Sequence, residues 1–286
     1  MSLKHKVYGF YLSILNRVKF RKVSVQLNGI NWSLKLNNAL DVHLLHNGGH
    51  YHKVMPKLLS VFNKNLAAID VGANRGYWTL PLARHFQFVF SIEADLDNFQ
   101  GLIENISVNP LLSNRIIAQN VAATNYDGVA KLNIRRSIDA DANLNTGLSS
   151  LVILERNSIF REVKAVQIDS VVSSTAPHPR VCFIKIDVEG AEFEVLTGTG
   201  GLIRNDSPAI FWEATLSLDA KFGRGNVRRC WELLEDLAYK HFLVFENGEI
   251  QECPTISELN SLGFDIDILS VHSSNVDDFL HRINLQ

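Results

Sequence analysis

Short apolar runs alternate with amphipathic stretches along the middle of the chain, and that rhythm predicts most of its elements. Leu66–Val71, Phe88–Ile92, Arg115–Val121 and Val181–Ile186 read as strands, whereas Tyr77–Phe86, Leu96–Val108 and the segment opening at Ala191–Leu196 carry helical spacing. Strands that alternate with helices of about ten residues predict a parallel sheet with right-handed crossovers. Ala209–Trp212, which ends at Glu213, is a further strand. His241–Phe245 and Ile266–Val271 resemble closing strands, and the amphipathic Val227–Leu237 precedes them. Val129–Ile134 and Ala165–Ile168 add two strand candidates, with Asp169 opening a short helix. Ser137–Ser150 is rich in Asn, Asp, Ser and Gly and reads as an exposed loop.

Ahead of Leu66 the pattern differs. Val7, Phe10, Ile14 and Val18 recur at helical spacing. Val23–Leu27 and Trp32–Leu36 alternate around Asn28-Gly29, which is a hairpin signal, and Met55–Phe62 reads as a short helix. The expected organisation is an N-terminal extension over residues 1–60 (helix, hairpin, short helix) packed on one domain over residues 61–286. The expected class is α/β, a doubly wound, mostly parallel sheet with helices on both faces.

Of the 286 residues, 46% are hydrophobic and 20% charged, which suits an ordinary globular chain. No run approaches the ~18 apolar residues of a membrane span. No apolar core followed by a small-residue cleavage site stands at the N-terminus, so secretion is not expected. Cys182, Cys230 and Cys253 are odd in number and share no CxxC spacing. That excludes a disulfide framework or zinc knuckle and suits a reducing cytoplasm. A net charge of −2 offers no global case for nucleic acid. The charge is uneven, however: Lys4, Lys6, Arg17, Lys19, Arg21, Lys22 and Lys35 all precede the first acid, Asp41. Such a basic amphipathic start is either a helix with a solvated face or a weak contact for an anionic inner-membrane surface.

The chemistry gathers at strand ends. Ile69-Asp70-Val71-Gly72-Ala73-Asn74-Arg75-Gly76 turns a buried strand into a helix, where glycine lets backbone approach a ligand. Its spacing is not GxGxxG, and Asp70 would repel a pyrophosphate. The acid suits S-adenosylmethionine, which carries a sulfonium and an ammonium. Glu93 ends the second strand 23 residues after Asp70, positioned for two ribose hydroxyls. Asn120-Val121-Ala122 follows the third strand, either beside an adenine or as ordinary loop.

Lys185-Ile186-Asp187-Val188-Glu189-Gly190-Ala191-Glu192, followed by Val195-Leu196 and Gly198, resembles the hallmark of the FkbM family of methyltransferases. Asp70–Gly76 is similar to that family's first motif, and Glu93 with Asn105 and Asn109 to its second block. Val166-Gln167-Ile168-Asp169-Ser170 and Gly147-Leu148-Ser149-Ser150 resemble two further segments. The resemblance runs from about Gly49 to Glu213. It implies a class I methyltransferase (Rossmann-like) fold and S-adenosylmethionine-dependent transfer, usually to a hydroxyl on a glycan, an antibiotic or a lipid-linked sugar.

The expected cofactor contacts are therefore Asp70, Gly72, Asn74, Gly76, Glu93, Asn120 and Asp187. An alcohol acceptor must lose its proton, and Asp187 and Glu213, ending neighbouring strand candidates, are the catalytic candidates. Glu189 is two residues on and can also face the cleft. The same acids can instead hold a divalent cation that lowers the hydroxyl pKa. Related magnesium enzymes carry two adjacent acids after the fifth strand, whereas Ala214 follows Glu213 here, so metal-independent catalysis is favoured. A third reading has Asp187–Gly190 simply capping the next helix.

Several residues keep more than one reading. His43, His46, His50 and His52 lack the spacing of a helical metal pair. They are metal ligands, substrate contacts near the cofactor entrance, or solvated. Tyr77, Trp78, Phe211 and Trp212 are pocket walls for a sugar face or core. Arg135-Arg136 and Arg228-Arg229 meet a phosphate or acidic sugar, or form solvated faces. Two other functions stay open: a nicotinamide-dependent oxidoreductase and a non-catalytic nucleotide-binding module. Acceptor choice lies in the Ser137–Ser150 loop and the extension, which carry no transferable code.

Overall fold

The computed structural model describes residues 22–48, 54–138, 144–153, 159–175 and 179–284. The basic N-terminal helix, His50 and His52 lie outside them, as do residues 139–143. Lys22–Leu27 (β1) and Ile30–Lys35 (β2) form the expected hairpin. Asn28 and Gly29 both take positive φ, 51° and 72°, as a two-residue turn of matching twist requires.

The central strands follow as Ala67–Val71 (β3), Phe88–Ile92 (β4) and Ile116–Gln119 (β5). The chain then forms Ala122–Ala123 (β6), Gly128–Ile134 (β7), Ser137–Ile138 (β8), Leu144–Asn145 (β9) and Ile159–Val166 (β10). It returns as Val181–Ile186 (β11), Ala209–Ala214 (β12), Tyr239–Val244 (β13), Ile250–Glu252 (β14) and Ile266–His272 (β15). Eight strands make the main sheet, in the order β14-β13-β15-β12-β11-β3-β4-β5. From β12 to β5 every pairing is parallel, and β15 runs antiparallel between β12 and β13. The doubly wound, mostly parallel sheet expected from the rhythm is the one observed.

Strands buried on both faces send alternate side chains into two cores. Ile69, Ile184, Ile210 and Trp212 meet Val227, Trp231 and Leu234 of the Asn226–Asp236 helix on one face. Ala68, Phe183 and Phe211 meet Trp78, Leu82 and Phe86 on the other. Phe211 and Trp212 are therefore core rather than pocket wall, at 2% and 0% exposure.

Three expectations shift. Glu213 lies within β12 instead of beyond it. β10 begins well before Ala165, because it pairs with β7 and β6 in a separate three-stranded sheet, and Ile168 already opens the Ile168–Ser173 helix. Much of β10 is exposed, so no alternating pattern announces it. Helices Gly200–Asp206, Leu216–Phe222 and Ile256–Leu262 have seven residues each, under two turns, too short for a period to register. Among the described residues no helix is long and apolar enough to cross a membrane.

The hairpin is fastened to the sheet by polar side chains. Asn105 and Asn109, one turn apart on and just beyond the Leu96–Ser107 helix, accept from the backbone N–H groups of Ser33 and Asn31 at 2.8 and 2.9 Å. Asn105 also donates to the Arg75 carbonyl, 2.8 Å. The Arg75 guanidinium is buried, pairs with Asp41 at 3.0 Å and donates to the Ser33 carbonyl at 3.1 Å. Tyr77 Oη donates to Asp41 at 2.8 Å. Gly101 leaves the room this guanidinium occupies, since a Cβ there would overlap it. Removing one partner of a buried ion pair strands the other charge at a cost of about 3–5 kcal/mol. Asp41→Ala is accordingly expected to destabilise the protein by about that amount in urea unfolding. A loss under ~1 kcal/mol would show that the pair contributes no more than an exposed one.

Candidate active site

The chain winds outward from β3 to β5 and, after returning, from β11 to β12, so β3 and β11 flank the point where strand order reverses. A crevice opens at the carboxyl ends of strands at such a point. Here the two strand ends approach closely. Asp187 N–H donates to the Val71 carbonyl at 3.1 Å, and Gly72, at φ 78°, has no space for a Cβ because the Asp187 carbonyl stands in its place.

The glycine turn spends its own donors. Gly72 and Ala73 N–H donate to the Ile92 carbonyl at 2.9 and 3.0 Å, Asn74 N–H to Glu93 at 2.7 Å, and Gly76 N–H to the Ala73 carbonyl at 2.8 Å. The first three are consumed in joining β3 to the end of β4 and the fourth within the turn, so none is aimed at a ligand.

Two cavities meet at this junction. A narrow groove of about 70 Å³ is lined by Glu93, Asn98, Val121, Ala122 and Leu151. A wide cleft of about 1020 Å³ is walled by Trp32 and His43 of the extension, Tyr77, Trp78 and Glu213. Gly72, Asn74, Gly147, Asp187 and Glu189 line both. Glu93 also accepts from Asp95 N–H at 2.7 Å, and burial raises its pKa to about 7 against the pull of its two N–H donors.

The remaining expected contacts stand behind the walls. Asp70 is fully buried, accepts from Thr79 Oγ1 at 2.6 Å and lies 3.6 Å from Lys185 Nζ. Burial raises its pKa, while Lys185 and Thr79 pull it down. Gly76 packs on Leu102, which a Cβ would crowd at 2.9 Å. Asn120 donates to the Glu93 and Ala94 carbonyls at 2.8 and 3.1 Å, buttressing the groove while its neighbours Val121 and Ala122 line it.

Lys185 carries no role in the sequence reading, yet it sits at the centre of the site. Its ammonium donates to the Gly72 carbonyl at 3.0 Å and stands 3.2 Å from Asp187. Burial opposes its charge, but Asp187 and Asp70 outweigh burial and hold its pKa above the ordinary lysine value. The signal was a lone lysine inside the apolar strand Val181–Ile186. Asp187 keeps 41% of its side chain exposed to the cleft. Around it, burial and then Asp187 push Glu213 well above the usual carboxylate range, with Asp267 and Glu189 adding to the push. Burial and then Asp187 raise Glu189 to about 8. Capping of the helix that follows falls to Glu192, which accepts from Val188 and Gly190 N–H at 3.2 and 3.1 Å, so Asp187 is free of that duty.

The segment 144–153 closes the groove and is less exposed than its composition predicts, with Thr146 and Ser150 buried. Asn38 and Asn98 donate to Thr146 at 2.9 and 3.0 Å. Arg136 Nη2 and Ser149 Oγ both donate to buried Asp95, at 2.6 and 2.8 Å. Arg136 is thus a clamp, neither a phosphate site nor a solvated face. Arg228 pairs with Glu232 at 3.3 Å on the surface, and Arg229 stacks on Phe193 at 3.7 Å. Asp169 accepts from Gly201 and Leu202 N–H at 2.8 and 2.9 Å, a helix-start contact away from the cleft. Among the described residues no group of three His, Cys, Asp or Glu side chains is placed to hold a metal ion.

A seven-stranded order with one reversed strand beside the last, extended here by β14, defines a class I methyltransferase fold. Residues 70–241 match the model of the methyltransferase FkbM domain, more than half of the chain, and the protein belongs to the FkbM methyltransferase family. No curated protein matches the sequence. Among solved structures, the FkbM methyltransferase from Methylobacillus flagellatus KT shares 18% identity at a TM-score of 0.46, over 73% of this chain and 44% of that one. This chain therefore spans under half of that relative's length. TYW2 from M. jannaschii, in complex with AdoMet, shares 14% at 0.41, over 88% and 87%. An O-methyltransferase from Bacillus cereus, in complex with SAH, shares 13% at 0.42, over 76% and 78%.

The raised Glu189 pKa carries a sign that can be checked. An acid whose folded pKa exceeds its unfolded value binds its proton more tightly when folded. Stability is then present at low pH and falls as pH climbs from about 4.5 toward about 8. Glu189→Gln has no such proton to lose. It is expected to melt above the native protein at about pH 8.5 and level with it at about pH 5. A gap independent of pH would place the Glu189 carboxyl in water.

Proposed function

We propose that the protein is an S-adenosylmethionine-dependent O-methyltransferase acting on a hydroxyl of a sugar, glycan or related small molecule. The observation that carries this reading is the meeting of a narrow groove and a wide cleft at Asp187 and Glu189, on the sheet's switch point. The groove suits an adenosine, with Val121 and Leu151 as apolar walls and Glu93 as acceptor for the ribose hydroxyls. Asn74 Oδ1 is buried there with no hydrogen-bond partner and can accept from an ammonium. These residues fit the cofactor, which when bound supplies a methyl group already activated on a sulfonium.

The protein's remaining work is to align the acceptor oxygen, exclude water and take a proton. Asp187 is the base: it faces the cleft, and Lys185 at 3.2 Å fixes its orientation. Glu213 flanks it on β12. The Lys185 ammonium already neutralises Asp187 from within, which favours catalysis without a metal at this pair. Tyr77 on the cleft wall offers a face to a sugar ring. The nicotinamide alternative weakens because Gly72, Ala73, Asn74 and Gly76 have no N–H left over for a pyrophosphate.

A thermal-shift series with S-adenosylmethionine, S-adenosylhomocysteine and NADH tests the class. A ligand at 100 times its Kd stabilises by about 2.7 kcal/mol, and only the adenosyl ligands are expected to act. Stabilisation by NADH alone would overturn the reading. Asp187→Asn is expected to lower kcat by about 10²–10⁴-fold, and full turnover by that variant would remove the base from the mechanism.

A further inference from the structure

The cleft holds more carboxyl groups than proton removal needs, and among the described residues two of them have no hydrogen-bond donor or ion-pair partner, although the Arg135 charge reaches Glu189. Asp187 has Lys185, and Asp265 accepts from Ser217 N–H at 2.7 Å. Asp267 is engaged as well. Glu189 and Glu213 also line the cleft, yet neither carboxyl is hydrogen-bonded or ion-paired among the described residues. A half-buried carboxyl with no donor from the chain is left to water, and a ligand that brings a cation stabilises its charged form.

Their placement says which cation. Glu189 lines both the groove and the cleft, so it stands where a donor bound in the groove must face an acceptor in the cleft. It holds φ 55°, in the left-handed region that a non-glycine residue enters at a cost. Glu213 shares the cleft and feels both Asp187 and Glu189. Burial and the Asp187 charge hold both acids toward their neutral forms, a penalty that a nearby cation relieves.

On the methyl-transfer reading above, on which this inference rests, the ligand changes charge during the reaction. The donor carries a sulfonium, and the demethylated product carries a neutral thioether. We infer that Glu189 and Glu213 are the residues that tell the two apart, holding S-adenosylmethionine and releasing S-adenosylhomocysteine once the positive charge is gone. Each is a specificity-determining residue acting by charge, separate from Asp187, whose own charge Lys185 already meets. One carboxylate several ångströms from a cation in a partly buried site shifts affinity by about tenfold or more.

The experiment is calorimetric titration of the full chain, native, Glu189→Gln and Glu213→Gln, with S-adenosylmethionine, S-adenosylhomocysteine and sinefungin, which carries an amine near the sulfonium position. The native protein is expected to bind S-adenosylmethionine at least about tenfold more tightly than S-adenosylhomocysteine, with sinefungin following the cationic ligand. Each variant is expected to weaken the cationic ligands by about tenfold while S-adenosylhomocysteine stays within about twofold, which also shows that the variant is folded. Equal native affinities, or variants that lose charged and neutral ligands in parallel, overturn the inference and leave the methyltransferase reading standing. Binding of none of the three by the native protein overturns both.

Discussion

An ammonium taken out of water costs several kcal/mol unless anions surround it, and Lys185 meets that demand with Asp70 on β3 and Asp187 at the end of its own β11. The same ammonium donates to the Gly72 carbonyl, so one side chain joins the two strand ends that bound the crevice. The glycine turn can then lie against the Asp187 carbonyl, which only a residue without a Cβ allows. Both cavities share this line of contact. Loss of the lysine charge would leave the buried Asp70 facing Asp187 uncompensated where the fold needs its strands closest.

The second constraint is the docking of residues 22–47 onto this turn. Arg75 belongs to the glycine motif, but its guanidinium points away from the groove to Asp41 and to the backbone of β2. The motif thus anchors the very segment whose Trp32 and His43 wall the cleft. The turn that lines both cavities is joined to the cleft wall through the buried Arg75–Asp41 pair. Asn105 and Asn109, similar to a family block, serve the same join by hydrogen-bonding β2 backbone. Segment 144–153 is tied in from the other side by Asp95, Asn98 and Asn38. The walls of the wide cleft are consequently drawn from pieces distant in sequence that meet only around the β3–β11 crevice.

Charge shapes what remains. Among the described residues the Glu189 and Glu213 carboxyls receive no hydrogen bond, unlike Glu192, whose oxygens are taken by Val188 N–H, Gly190 N–H and Asn226. Within residues 188–192, then, Glu192 is tied to the backbone while the Glu189 carboxyl is not.

Much of this was legible in the chain. Apolar runs buried on both faces announced β3, β4, β11 and β12, and Asn28-Gly29 announced the hairpin, because those signals are local. So did the acids at strand ends and the family motif. Asp70, Gly76 and Asn120 read as cofactor contacts, yet they stand behind the wall, since a motif fixes which residues lie near a turn and not which way each one faces. The centrality of Lys185 and the partnerless state of Glu189 and Glu213 were hidden for the same reason. Whether a charge finds its partner depends on strands adjacent in the sheet and remote in sequence. Local spacing determined the central strands and longer helices; only the packing of β3 against β11, with the extension closed over them, decided which side chains face the crevice.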